Sequence, residues 1–394
     1  MGPRRFLFRR RLRRRLSAGR RTRMAARLER LAGFGGTFDA PLIDRQRVAA
    51  ALAAATPPAP PRSLAQHAAP LAVSILVSSR GNAFMRDIAD DIAALLAACG
   101  TAVARCDEHA TIPPSLPIVV APHEFFTLGR GPRWITESFL GRAVMLNTEQ
   151  PHTDWFAAAL PYLLGARGVL DLNGQTAGWL AAGGVPALAL TLPPPRDPTP
   201  LHPADRRHRL FRALPPAARE APDPTTLPWA ARPIDLTFFG TATPRRAVFF
   251  AENAAFLAAQ CCVVHCVAAD RPIRDGAAGR LARHVGGHAR LTLNLHRDDT
   301  AYFEAHRLLR LGVGMGSVVV SEPCLPHPAI RAGEHYFAAT LPALPELIGW
   351  LLHAADGQAA AEAARTAATR LLDGALHPAA AGAPLITFLH EATA

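Results

Sequence analysis

The apolar positions along the chain fall into two patterns. Short continuous runs, LAVSILV at 71–77, LPIVV at 116–120, VML at 144–146 and GVLDL at 168–172, suit strands covered on both faces. Successive strand side chains point to opposite faces, so an unbroken apolar run needs cover above and below, as in a parallel sheet flanked by helices. The intervening stretches follow helical spacing instead. Phe84, Ile88, Ile92 and Leu95 or Leu96 line one face before Gly100, and DWFAAALPYLLG and QTAGWLAAGG follow the third and fourth runs. A short strand, PALALTL, closes this region, so residues 67–200 read as an α/β unit with a mostly parallel sheet.

A Pro-rich, charged stretch separates this region from a second one, and residues 201–232 are assigned to an interdomain linker. Strand and helix patterns then resume. IDLTFFG, CCVVHCVA, RLTLNLH and GSVVVSE read as strands, and AVFFAENAAFLAAQ, the segment around 300–311, LPELIGWLLHAA and residues 358–373 read as helices. The second α/β domain is therefore placed at 233–375. Residues 1–66 are a basic tail with a Pro-rich linker, and 376–394 a C-terminal segment. The fold class expected is α/β, two Rossmann-like domains facing a cleft.

The net charge of +12 changes this picture little. The chain holds no lysine, and 11 of its arginines lie within the first 23 residues. The remainder is close to neutral, which argues against a nucleic-acid-binding body. Without lysine there is no P-loop of the nucleotide-hydrolysing type. Phe8, Leu12 and Leu16 are spaced to share a helix face, so the tail reads as an adhesive for an anionic membrane surface, or Met24 is the true start. No apolar run approaches the ~20 residues of a membrane span. Cys261, Cys262, His265 and Cys266 cluster, but on a strand alternate side chains point apart. They read as buried thiols in a reducing cytoplasm rather than as a zinc site.

Ligands of open parallel sheets bind beyond the carboxyl ends of the strands, and the polar residues gather there. In the first domain His123 and Glu124 follow one strand, Thr148, Glu149 and Gln150 another, and Asp171 and Asn173 a third. In the second, Gly240 and Thr241, His296 and Arg297, and Ser321 and Glu322 hold the same places. FFGTATPRR offers close backbone approach at Gly240, hydroxyls, and the Arg245 and Arg246 guanidinium forks, a set suited to phosphate. Glu304 and Arg307 share a helix face, either as an ion pair or as a ribose and a phosphate contact. Asp298 and Asp299 read as caps of the following helix rather than as metal ligands.

LTLNLHRDDTAYFEAHRLLRLGVGMGSVVVSE resembles the donor-domain core of GT-B glycosyltransferases, the group 1-like bacterial kind found with surface-polysaccharide genes. An Asn-x-His strand end, a Glu-x-x-Arg helix and a VVSE strand carry the likeness. DLTFFGTATPRR, VMLNTEQPHTDWF and GVLDLNGQTAGWL extend it over roughly 115–350. Arg310 stands where that family usually has a second acid. The resemblance implies GT-B architecture, with an acceptor-side first domain and a nucleotide-sugar donor domain second. It implies a hexosyltransferase-like, metal-independent transfer to a glycan or lipid-linked acceptor, with the nucleotide sugar as substrate, no cofactor, and a cytoplasmic or peripheral membrane location. Gly240, Thr241, Arg245, Arg246, His296, Arg297, Glu304, Arg307 and Glu322 would hold the donor. His123, Glu124 and Glu149 are the candidates for the base. A nucleotide-sugar epimerase of the same fold and a non-catalytic binding module are the alternatives.

Overall fold

The apolar runs pair in register as two parallel sheets. The computed structural model describes residues 12–61, 71–111, 113–195, 201–220, 227–268 and 276–393. The chain divides into two units, 1–192 with 378–394, and 193–377. In the first, β1 (Phe34–Thr37) and β2 (Ala40–Ile43) form a small antiparallel hairpin. The main sheet is built from β3 (Ala72–Leu76), β4 (Ala102–Cys106), β5 (Leu116–Val120), β6 (Val144–Asn147), β7 (Gly168–Asp171) and β8 (Ala187–Ala189). These six pair in parallel in the order β4-β3-β5-β6-β7-β8.

The second unit contains β9 (Ile234–Thr241), β10 (Cys262–Val267), β11 (Ala289–Asn294), β12 (Val318–Ser321) and β13 (Phe337–Ala338). They too pair in parallel, in the order β10-β9-β11-β12-β13. The two sheets thus repeat one plan. The first strand of each has the second on one side and the third on the other, so the strand order reverses between β3 and β5 and between β9 and β11. Such a reversal opens a crevice beyond the carboxyl ends of the two strands.

Each unit has its own core. Val73, Ile75, Ile118, Val120, Val144 and Leu146 pack with the helix Ala83–Ala98 in the first. Leu236, Phe238, Leu291, Leu293, Val318 and Val320 pack with the helix Leu344–His353 in the second.

Several segments depart from the sequence expectation. The basic stretch is, from residue 12 on, part of the first unit. Leu12 and Leu16 are buried, so they are not free to form a membrane-facing stripe; Phe8 lies outside the described residues. The helix Ala18–Arg30 is tied down through Ser17, whose N–H and Oγ–H both donate to Glu137, each at 2.7 Å. Arg27 donates to the Leu164 carbonyl at 2.6 Å. The C-terminal segment is a helix, Pro378–Thr393, whose Leu385 and Leu389 enter the first core. Much of the stretch assigned to the interdomain linker packs into the second unit, with Leu210, Phe211 and Leu214 buried against Ile234 and Leu281. The cysteines of the β10 segment are free thiols, half-buried at Cys261 and Cys262 and exposed at Cys266, because β10 is an edge strand. Among the described residues no helix is long and apolar enough to cross a membrane.

A chain beginning at Met24 forfeits the burial of Leu12 and Leu16 and both hydrogen bonds to Glu137. Burying a leucine is worth about 1.5–3 kcal/mol. The shortened protein is therefore expected to be less stable by about 3 kcal/mol or more. Urea unfolding of both forms checks this, and equal midpoints and slopes would show that residues 12–23 add nothing to the fold.

Candidate functional site

Beyond the order reversal of the first unit lie His123, Glu124 and, from the loop after β6, Glu149. Beyond β5 the chain turns through Ala121, at φ 51° and ψ 67°, the one non-glycine residue with positive φ among those described. A left-handed alanine costs about 1–2 kcal/mol, and such strain concentrates where a side chain must be aimed. Here it aims the short helix Pro122–Phe125 and with it His123 and Glu124. Glu124 accepts the Asn82 N–H, from the loop after β3, at 2.9 Å. A Cβ on Gly81 would stand 2.3 Å from the Glu124 carboxylate, so this glycine lets the loop and the carboxylate pack closely. Burial raises the Glu124 pKa, and neighbouring His123 and the Asn82 hydrogen bond oppose the shift.

His123 lies with Nε2 3.4 Å from Glu149 Oε1, and Trp155, itself 44% exposed, stands beside the ring at 5.9 Å between centroids. Burial lowers the His123 pKa to about 4, against an opposing pull from Glu124, so the ring is neutral near pH 7. Its Nδ1 is buried without a hydrogen-bond partner. Glu149 is the more open of the pair, with its side chain 17% exposed against 4% for His123. The loop carrying Glu149 is braced from β7. Asn147 Nδ2 donates to the Glu149 carbonyl and to Asp171 Oδ2, both at 2.8 Å. Asp171 is fully buried. Burial pushes its pKa up to about 8, although hydrogen bonds from Asn147 and the Asn173 N–H pull the other way. His123, Glu124 and Glu149 are therefore neighbours. Asn147, Asp171 and Gly81 support them; of these, the sequence places only Asp171 at a ligand-facing strand end. The signal for Asn147 is its place as the last residue of an apolar strand.

The reversal in the second unit gathers the other predicted residues, and gives most of them protein partners. Arg246 caps the end of β11 by donating from Nε and Nη2 to the Leu295 carbonyl, at 3.2 and 2.7 Å, and from Nη1 to the Thr241 carbonyl and hydroxyl. Arg307 donates to Asn294 Oδ1 at 2.7 Å and lies 3.1 Å from Glu304. Both guanidinium groups lie over the Phe238 ring, at 5.4 and 5.7 Å from its centroid. A Cβ on Gly240 would meet Phe238 at 2.8 Å and Arg246 at 3.2 Å, so this glycine serves packing. Burial lowers the Arg246 pKa to about 10, with repulsion from Arg307 adding to it, and the group stays charged. Arg245 is also engaged, through Nη1 and Nη2 to Glu322 at 2.8 and 2.5 Å and Nε to Asp299 at 2.7 Å.

His296 donates its backbone N–H to Glu322 at 2.7 Å, and its Nε2 faces the Pro323 carbonyl at 2.9 Å. A carbonyl only accepts, so Nε2 carries a proton, and Nδ1 is buried without a hydrogen-bond partner. Arg297, half-buried, is an electrostatic neighbour of Arg246. Two expectations are corrected. Glu304 lies just before the helical segment, which runs as a π-helix over His306–Gly312, and Asp298 and Asp299 do not cap it. Asp298 accepts the Thr300 N–H at 3.0 Å, whereas Asp299 pairs with Arg245. Among the described residues no group of three or more His, Cys, Asp or Glu is arranged to hold a metal ion.

No protein-family model and no curated protein matches the chain. Solved structures with a similar course of chain include an alpha1,3-fucosyltransferase with GDP, at 9% identity and a TM-score of 0.39, covering 86% of this chain and 95% of that one. A glycosyltransferase from Rickettsia africae ESF-5 matches at 10% identity and a TM-score of 0.43, covering 82% and 98%. Another alpha1,3-fucosyltransferase structure matches at 9% and 0.38, covering 79% and 84%. TM-scores this low carry no argument about function. The α/β class of two parallel-sheet units rests on the strand pairing itself.

Two outcomes follow for stability. The pKa of folded Asp171 lies above its unfolded value, so its contribution is full below pH ~4 and is lost as pH rises to about 8. Between pH 6.5 and 8 the parent is expected to lose about 2 kcal/mol that Asp171→Asn keeps. Matched urea titrations across that range check this, and parallel profiles would contradict it. Arg246→Ala leaves the Leu295 and Thr241 carbonyls short of donors and Glu304 with less compensating charge. It is expected to cost about 3–5 kcal/mol, against about 0.5 kcal/mol or less for Arg297→Ala. Thermal melts of the two variants compare them directly.

Proposed function

We propose that the protein is a glycosyltransferase that moves a sugar from a nucleotide-sugar donor to a glycan or lipid-linked acceptor without a required metal. The observation that carries this reading is the repeated sheet plan, with acid–base residues at one order reversal and cationic residues at the other. The reversal between β9 and β11 suits a diphosphate. Arg297 supplies charge there, and Arg245 is preset by Glu322. Asp299, 96% exposed on its side chain, holds Arg245 Nε from the solvent side, and an arriving phosphate oxygen would displace it. Glu304 and the His296 edge then serve the ribose. Arg246 and Arg307, buried and engaged by carbonyls and side-chain oxygens, form the platform behind this site.

The reversal between β3 and β5 suits proton transfer. Glu149 takes the proton of the acceptor hydroxyl, neutral His123 lies at its side, and Trp155 offers a stacking face for a sugar. The acceptor oxygen bonds to the anomeric carbon, the bond from that carbon to the phosphate oxygen breaks, and the diphosphate leaves with the electron pair. Positive charge fixed beforehand near the leaving group lowers this barrier.

The reading is tested in two ways. Arg297→Ala is expected to weaken nucleoside diphosphate binding about tenfold or more, as loss of a charged hydrogen bond does. Asp299→Asn is expected to strengthen it up to about fivefold by removing a competitor. Calorimetric titration separates these, and unchanged affinity in both variants would remove the donor site from this edge. Glu149→Gln is expected to lower kcat by about 10²–10⁴ with donor affinity unchanged. Turnover should survive EDTA. Turnover of the donor without any acceptor would indicate an epimerase instead.

A further inference from the structure

Within the first unit, the edge opposite His123 and Glu149 carries a cavity of about 390 Å³. Gly141, Arg167 and Pro186 mark it as lying where β6, β7 and β8 begin, at the amino ends of the parallel strands. Arg20, Arg23 and Arg27 enter it from one face of the helix Ala18–Arg30, and Arg167 enters from the turn before β7. Glu391 is the one carboxylate in its lining, while Met24, Leu164 and Phe388 make an apolar floor.

The arginines are only partly compensated. Arg27 donates to the Leu164 carbonyl, and Arg20 to the Gly165 and Glu137 carbonyls. Arg167 Nε donates to the Ala392 carbonyl. Carbonyls satisfy N–H groups without cancelling charge. Arg20 has Glu137 3.7 Å away. The Arg27 pKa is lowered by burial and then by Arg23, Arg20 and Arg30, with no carboxylate opposing. Crowding cations at a part-buried site costs free energy that an anion would recover. A Cβ on Gly141 would stand 2.6 Å from Arg20 Nη2, so the guanidinium packs directly against this glycine.

We infer that this cavity is an anion site for phosphoryl groups, distinct from the donor site, taking a diphosphate or a phosphodiester with an apolar portion. Guanidinium forks match phosphate oxygens in pairs. Arg20 to Arg27 spans roughly 10 Å along the helix at 1.5 Å per residue, longer than one phosphate and enough for two phosphoryl groups or a headgroup. The floor suits an attached apolar chain. The phosphoryl group could belong to a soluble diphosphate or to an anionic lipid, and two arms of one experiment distinguish these sources.

The full chain carrying Arg297→Ala, which weakens the proposed donor site, is titrated with inorganic pyrophosphate at low salt. It is separately sedimented with phosphatidylglycerol-containing vesicles and with phosphatidylcholine vesicles. Arg23→Glu, at an exposed position, is expected to weaken whichever binding occurs about tenfold or more, and Arg167→Gln to weaken it less. Without anion, Arg23→Gln, which relieves like-charge crowding without setting a second carboxylate near Glu137, should melt no lower than its parent; a purely structural arginine would lower the melting temperature. Pyrophosphate binding that falls with Arg23→Glu identifies a soluble ligand. Binding to anionic vesicles alone, with the same loss, identifies a lipid. No binding in either arm, or binding that Arg23→Glu and Arg167→Gln both leave unchanged, overturns the assignment. The outcome does not depend on whether the protein transfers sugars.

Discussion

The second unit depends on one carbonyl oxygen, that of Leu295. It accepts from Arg246 twice, and from Arg307 in a longer contact at 3.5 Å, at the point where β11 has ended and its order reversal opens. A strand leaving a parallel sheet at such a reversal has no neighbour for its last carbonyl, and an unpaired buried carbonyl is costly. Two guanidinium groups meet that need and share the Phe238 face. Two buried cations are themselves expensive. Glu304 offsets the charge, and Gly240 supplies the room. The sequence of the whole edge, from Phe238 through Arg246 to Glu304 and Arg307, follows from satisfying this carbonyl.

The first unit solves the same topological problem with different chemistry. Its reversal is braced by carboxylates accepting backbone N–H groups. Glu124 takes that of Asn82, and Glu108 takes those of Ser79, from N–H and hydroxyl at 2.7 Å each. One reversal therefore accumulates acids and a neutral histidine, the other arginines. The different charge of the two crevices is a consequence of how each was closed.

The strands buried on both faces were legible in the sequence because continuous apolar runs admit little else. β4 was not, because it is an edge strand whose alternating burial leaves Ala102, Ala104 and Arg105 exposed and yields no apolar run. The hairpin β1–β2 was hidden by FGGT, which reads as linker, yet Gly33 and Gly36 use positive φ to build it. In the site, position was legible and partnership was not. Arg245 and Arg246 follow a strand end and Arg307 lies on a helical segment, as read, but whether a guanidinium faces a ligand or a carbonyl depends on residues about 13 to 77 positions away. The arginine-rich start looked like a tail because its charge dominates the eye. Leu12, Leu16, Met24 and Leu28 show it to be a packed element.

The division of the chain sets an order of events during synthesis. The first unit needs both its opening 192 residues and the helix Pro378–Thr393, while residues 193–377 form a unit of their own. As the chain leaves the ribosome, the second unit is complete before the first can close. Leu385 and Leu389 join Ile92 and Leu96 in this core only after residues 193–377 have been synthesised. Until then that apolar surface is uncovered, a condition that favours chaperone capture or association with other nascent chains. Emergence of the helix Pro378–Thr393, rather than of the first 192 residues, is the moment at which the first unit becomes safe.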